Sequence, residues 1–245
     1  MELRLLALYP ERMNIYADRG NILFLRRRCE WRGIGFSYAA AGPGEGIDPG
    51  AHDLLYIGGG QDRDQAAVAV DMVASKREAL AAAVEDGAVM LAVCGGYQLL
   101  GHSYQLGEER LPGLGLADLE TAREPGPRLI GNVAVEADLG TGPRLLAGFE
   151  NHGGRTYLGS EAEPLGRVVE GFGNNGQDGL EGVQQGNLIG TYLHGPLLPK
   201  NTWLADELIA RALERRHGTR PVLEPLDDGL ERAAHESARR AALPS

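Results

Sequence analysis

Ala88-Val-Met-Leu-Ala-Val-Cys-Gly-Gly-Tyr-Gln-Leu-Leu-Gly101 is a short apolar run that meets a cysteine, two glycines and then a helical pattern. An apolar run of this length bounded by glycine reads as a parallel strand buried on both faces. Cys94 then stands at a strand-to-helix corner, off the sheet edge, with the N–H groups of the next helix close by. Partial positive charge at such a terminus favours a thiolate, the nucleophilic form of cysteine. Gly95 and Gly96 let the backbone turn sharply and leave room for a substrate. The alternative is a buried, inert thiol, and the spacing favours the nucleophile.

The rest of the first half alternates in the same way. Residues 3–8 form an apolar strand, followed by a polar loop over 9–20. Residues 21–31 carry Ile22, Leu25 and Cys29 at helical spacing, which turns Cys29 to the core and leaves Arg26, Arg27 and Arg28 as a solvated face. Residues 35–39 read as a weak strand. Residues 53–57 read as a strong one that ends in Gly58-Gly59-Gly60, and residues 65–84 as one long helix closed by Asp86-Gly87. Strands alternating with helices predict a parallel sheet flanked by helices on both faces.

The second half changes character. Pro and Gly thicken between 107 and 127, and shorter strands follow at 129–136, 145–150, 166–171 and 187–193, as an antiparallel extension. Residues 200–216 form an amphipathic helix with Trp203, Leu204, Leu208, Ile209 and Leu213 on one stripe. The reading is one domain over 1–216 and a tail over 217–245 that either docks as a helix or frays.

Bulk properties exclude several classes. A net charge of −10 over 245 residues repels phosphate and argues against nucleic-acid binding. Two distant cysteines, Cys29 and Cys94, make no disulfide framework and fit a reducing cytosol. No apolar run approaches the ~18 residues of a membrane span, and the first residues lack a basic segment leading an apolar one. The expectation is a soluble cytoplasmic protein.

Three loops converge on the carboxyl edge of such a sheet, where open α/β folds bind ligands. Gly58-Gly59-Gly60 offers unobstructed backbone N–H groups, suited to a phosphate or an oxyanion. No Lys-Ser/Thr pair follows, so it is no nucleotide P-loop. The Cys94 corner is the second loop. The third is Gly190-Thr-Tyr-Leu-His-Gly-Pro196, where a strand delivers His194; imidazole can ionise a thiol and later protonate a leaving group. His152, in Asn151-His-Gly-Gly154, can border the same cleft, whereas His52, His102, His217 and His235 read as surface residues. No paired Cys or His stands at metal-ligand spacing.

Together, Ile57-Gly-Gly-Gly60, Cys94-Gly-Gly-Tyr-Gln98 and Tyr192-Leu-His-Gly-Pro196 resemble class I glutamine amidotransferases of the cobyric-acid-synthase-like branch, with a flavodoxin-like α/β fold. Within that branch, Leu8-Tyr-Pro-Glu-Arg-Met-Asn-Ile-Tyr-Ala-Asp-Arg-Gly-Asn21 resembles the GatD-type glutaminase subunits of lipid II isoglutaminyl synthase. The resemblance runs from Leu3 to about Leu208. It departs in two places: Ala92 stands where the usual elbow has Gly, and Pro196 where many members carry the Glu that orients the histidine. The second departure leaves His194 without an in-chain orienting carboxylate, which GatD-type enzymes take from the partner subunit.

The resemblance implies that Cys94 attacks the side-chain amide of glutamine with help from His194, forming a thioester. The N–H groups around Gly59, Gly60 and Gly95 would hold the oxyanion. Arg128 would grip the substrate's α-carboxylate, and Gln98 would wall the pocket, with helix packing as its alternative role. It implies no cofactor in this chain, with ATP and Mg on a MurT-like Mur-ligase partner in a heterodimer. The joint product would be the D-isoglutamine of lipid II, made at the inner face of the membrane through the partner. The alternatives are an amidotransferase subunit for another, cobyric-type acid, or a non-hydrolytic cysteine sensor of similar fold.

Overall fold

A computed structural model describes residues 1–15 and 18–243 of the chain. Among them, the first half reads β1 (Glu2–Leu8), α1 (Arg19–Trp31), β2 (Gly35–Ala41), β3 (Leu54–Ile57), α2 (Asp62–Ser75), α3 (Arg77–Glu85), β4 (Val89–Val93) and α4 (Gly95–Leu99). Three short strands follow: β5 (Ser103–Leu106), β6 (Glu109–Pro112) and β7 (Leu119–Arg123). Two long ones, β8 (Leu129–Ala137) and β9 (Arg144–His152), lead into β10 (Gly154–Leu158) and β11 (Gly166–Glu170). The chain ends through β12 (Leu180–Glu181), β13 (Val183–Gln185), β14 (Leu188–Thr191), α5 (Thr202–His217) and α6 (Gly229–Ala242).

The main sheet has the order β13-β14-β4-β3-β1-β2 and is parallel except at β13. At its centre β4 is wholly buried, as its unbroken apolar run requires. Each large side chain there contributes about 1.5–3 kcal/mol of burial. The register matters most at the carboxyl edge. Ile57 of β3 lies opposite Ala92, and Thr191 of β14 opposite Val93. Three strands therefore end nearly level, and the Gly58, Cys94 and His194 loops leave from one edge. The expected antiparallel extension is two further four-stranded sheets, β10-β7-β5-β6 and β12-β11-β8-β9, with β5–β7 a parallel pair inside the first.

Three local expectations are corrected. The helix expected over 65–84 is two helices broken at Lys76, whose φ of −131° leaves the helical range. Lys76 is fully buried, its ammonium bonded to Asp71 and 4.8 Å above the Tyr9 ring. The break turns that side chain inward. The helix after Cys94 is five residues long, too short to build much of a macrodipole. The Arg triplet is not one solvated face: Arg26 and Arg27 pair with Glu30 outside, but Arg28 is fully buried between Asp206 and Asp228.

That pairing fixes the tail. Arg28 meets both carboxylates through two bonds each, and Arg32 adds Asp206 and the Glu224 carbonyl. The segment after α5 is thereby drawn across α1, and α6 lies on the third sheet, where Asn132 donates to the Ala241 carbonyl. Among the described residues no helix is long and apolar enough to cross a membrane.

Candidate active site

Cys94 sits at φ +50° and ψ −106°, one of two non-glycine residues at positive φ among the described residues. Such a conformation costs on the order of 1–3 kcal/mol and persists only where the surroundings enforce it. Here they do. The Cys94 N–H donates to Thr191 O, the Gly96 N–H to Gly58 O and the Gln98 N–H to Cys94 O. A methyl on Gly96 would meet Ile57 Cγ2 at 2.8 Å and Gly58 O at 2.9 Å, so the turn after β4 can press on the turn after β3 only with glycine there.

Gly59 lies between the two reactive side chains. A methyl at this position would stand 3.2 Å from Cys94 Cβ, 3.1 Å from His194 Cε1 and 2.7 Å from Ile15 Cγ2. His194 is fully buried, and its backbone N–H donates to Phe149 O in β9. Its side chain faces Cys94 across Gly59, and its Nδ1 lies 3.5 Å from Asp18 Oδ1. Burial opposes a charge on this imidazole. Cys94 and Asp18 outweigh it and lift the His194 pKa to about 10. Positive charge beside Cys94 thus comes from His194 rather than from the five-residue helix.

Asp18 supplies a carboxylate that the sequence reading assigned to no residue of this chain. One oxygen faces His194; the other accepts the Gly59 N–H at 2.7 Å. Its own backbone is fixed as well. Tyr56 donates to Asp18 O, Asn21 donates to Tyr56 Oη, and Asn21 Oδ1 accepts the Leu198 N–H. A methyl on Gly20 would lie 2.7 Å from Pro196 Cγ. Pro196, in the place of the family's usual Glu, therefore packs against the Asp18 turn, and the carboxylate reaches His194 from that neighbouring turn instead. The signal for Asp18 lay inside the 8–21 motif; Tyr16 and Ala17 of that motif lie outside the described residues.

The other sequence-assigned residues divide. Gly59's N–H is committed to Asp18, which leaves Gly60 and Gly95 as the pair of amides beside the thiol; a methyl on Gly95 would stand 3.1 Å from Gly60 N. Arg128 is exposed, its Nε and Nη2 donating to Asn151 Oδ1 and O at 2.8 Å each. Asn151 is two residues along β9 from Phe149, the backbone partner of His194.

Gln98 is buried and engaged at both ends of its amide. It accepts from Gln65 at 2.7 Å and donates to Tyr192 Oη at 3.0 Å. Tyr192 in turn bonds Thr156 and stacks on His152 at 3.5 Å between ring centroids. His152 is buried, bonded to Gly154 O and near Glu150, and burial pushes its pKa below the ordinary value. Both residues are buried and held by these bonds. Among the described residues no cluster of His, Cys, Asp and Glu could hold a metal ion.

Residues 4–202 match the CobB/CobQ-like glutamine amidotransferase domain. The chain is 42% identical over 217 residues to the lipid II isoglutaminyl synthase (glutamine-hydrolysing) subunit GatD of Staphylococcus aureus strain N315, covering 88% of this chain and 86% of that one. It is 36% identical over 236 residues to the same-named subunit of Streptococcus pneumoniae strain ATCC BAA-255 / R6, covering 96% and 90%. Among solved structures, PurLQS from Thermotoga maritima superposes with a TM-score of 0.55 at 20% identity over 79% of this chain and 88% of that one, a likeness of fold. The chain belongs to the CobB/CobQ-like glutamine amidotransferases.

Proposed function

We propose that this chain is the glutaminase subunit of a lipid II isoglutaminyl synthase, and that Cys94, His194 and Asp18 carry the hydrolysis. The observation that supports it most is the meeting of thiol, imidazole and carboxylate around Gly59, where no side chain fits. The Cys94 sulfur attacks the side-chain carbonyl carbon of glutamine, and the C=O becomes a tetrahedral oxyanion. The Gly60 and Gly95 N–H groups receive that charge; each such donor is typically worth about 3 kcal/mol of barrier. His194 is already protonated and gives its proton to the departing nitrogen, so ammonia leaves and a glutamyl thioester remains. Water, losing a proton to His194, attacks the thioester, and glutamate is released with the thiolate restored. Arg128, exposed and held by Asn151, carries a guanidinium fork suited to the substrate's α-carboxylate.

Ammonia does not amidate a carboxylate unaided; the acid must first be activated, normally as an acyl phosphate. Gly58-Gly59-Gly60 leads into Gln61-Asp62, with no Lys-Ser/Thr to hold a nucleotide. The activation belongs to a partner, for which a MurT-like Mur ligase with ATP and Mg fits the GatD-named relatives. Both GatD-named relatives align over most of their own length. In this reading the chain works at the inner face of the membrane, brought there by its partner and lipid II.

Glutamate release and lipid II amidation by the reconstituted complex test this reading. Cys94→Ala is expected to abolish both with glutamine, while ammonium salts restore amidation through the partner's intact site. Hydrolysis that survives Cys94→Ala, or a wild-type complex that releases no glutamate, overturns the proposal.

A further inference from the structure

The loop after His194 is held from outside the pocket. Gly195, at φ +82°, presents a carbonyl that accepts the Lys200 ammonium at 2.8 Å. Lys200 closes a 3-10 turn, Leu198–Lys200, that brings the chain back beneath this loop. The next residue, Asn201, donates to Leu197 O and exchanges two bonds with the backbone of Ala147 in β9. That strand's Phe149 carbonyl is the acceptor for His194. Lys200 is reached in turn from the tail, where His235 Nδ1–H donates to the Lys200 carbonyl at 2.8 Å.

The α6 contact is local. A cavity of about 400 Å³ opens beside this contact and is lined by Lys200, Trp203, Arg144 and His235 among others. Only Ala242 of α6 is buried. Polar links join the tail to the rest of the chain, among them Asp228 to Arg28, just before the helix, and His235 to Lys200. Burial also pulls the Lys200 pKa below its ordinary value, a cost that a neutral side chain of equal length would not carry.

We propose that Lys200 is a positioning residue for His194, and that the C-terminal helix acts on the glutaminase site through it. Gly195 tolerates many backbone conformations, so its own sequence does not fix the peptide after His194. The ammonium limits that freedom by pinning the carbonyl of the Gly195–Pro196 peptide, one residue beyond His194. An imidazole displaced by about 1 Å loses on the order of a hundredfold in rate. The proposal rests on His194 acting as the proton carrier of glutamine hydrolysis.

Steady-state kinetics of the reconstituted full-length complex test it. Lys200→Met keeps the aliphatic stem and removes the donor. It is expected to lower kcat about tenfold or more, with KM for glutamine within about twofold of wild type. Lys200→Arg, which restores a donor, is expected to recover most of kcat. His235→Ala is expected to lower kcat in the same direction by about two- to fivefold, again without moving KM. A Lys200→Met enzyme with wild-type kcat overturns the proposal, even if its melting temperature falls. A kcat unchanged by His235→Ala overturns the tail's share in it. An inactive wild type would instead remove the underlying glutaminase reading, so the two failures are told apart.

Discussion

The Cys94 edge and the Arg28 clamp are held by opposite means. At the edge, bare glycine backbone lies against its neighbours with no room for a side chain: Gly96 on Ile57 and Gly58, Gly59 between Cys94 and His194, Gly20 on Pro196. One nucleophile sits in a strained conformation, and one carboxylate serves both the imidazole and the Gly59 amide. No contact there has a substitute. At the clamp, long side chains meet with duplication: Asp206 is shared by Arg28 and Arg32, and Arg32 also holds Glu224 O. The difference predicts where damage registers. A lesion at the edge should appear as lost rate with the fold intact. A lesion at the clamp should appear as lost stability with the rate nearly kept.

The largest effect should come from Asp18→Asn. Asparagine still accepts the Gly59 N–H but carries no charge toward His194. In Ser-His-Asp enzymes the equivalent change costs about 10⁴-fold in kcat while leaving the geometry intact. A loss on the order of 10³-fold or more is expected in glutaminase kinetics, with a melting temperature near wild type. The 3.5 Å separation is longer than a well-formed hydrogen bond. Catalytic contacts of this kind often tighten only when substrate or a partner closes the site. If Asp18→Asn keeps its kcat in the complex, the orienting charge comes from the partner subunit instead, as the family resemblance implied.

Arg28→Ala probes the other side. It strands the Asp228 carboxylate and leaves Asp206 to Arg32 alone. Breaking a buried ion pair by removing one partner typically costs about 3–5 kcal/mol. Chemical denaturation should register a loss of that size, with kcat within a factor of about three. A collapse of kcat at unchanged stability would show that the clamp and the edge are not separable.

The unequal legibility of the two regions has the same origin. The Cys94 corner was readable because its requirements are local: an apolar run, a nucleophile and two glycines fall within a dozen residues. Sheet registration then brought His194 and Gly60 to it, as alternation of strands and helices implies. Arg28 was misread because helical spacing says which face a residue takes, not that Asp206 and Asp228 arrive from 178 and 200 residues away. Asp18 was passed over for a related reason. It lies in a polar turn, and its role depends on Pro196, far along the chain, packing against the adjacent Gly20. The Lys76 break carried no Gly or Pro signal, and only its buried contact with Tyr9 and Asp71 explains it. Strands β5, β6, β7 and β10 are too short and too mixed in composition to stand out from their turns.

The smallest effect, and the one that bears most directly on the edge, is the pH dependence of the His194 pair. The imidazole's ordinary pKa is 6.5, and in the folded chain it is raised to about 10 against the opposition of burial. A group whose pKa rises on folding contributes stability that is complete below the unfolded value. That stability is lost as pH climbs through the folded value, so this contribution should be full at pH 6.5 and gone by about pH 10. Cys94→Ala removes the thiolate, which is the largest influence raising that pKa. Between pH 7 and 10 the wild-type melting temperature should therefore fall more steeply than the variant's, by a few °C at most, because desolvating the pair offsets much of its attraction. Imidazole NMR titration gives the same comparison directly, with a wild-type midpoint near 10 and a lower one in Cys94→Ala. A wild-type midpoint at 6.5 would mean that His194 rests neutral, and the proton for the departing ammonia would then have to come from the Cys94 thiol during attack.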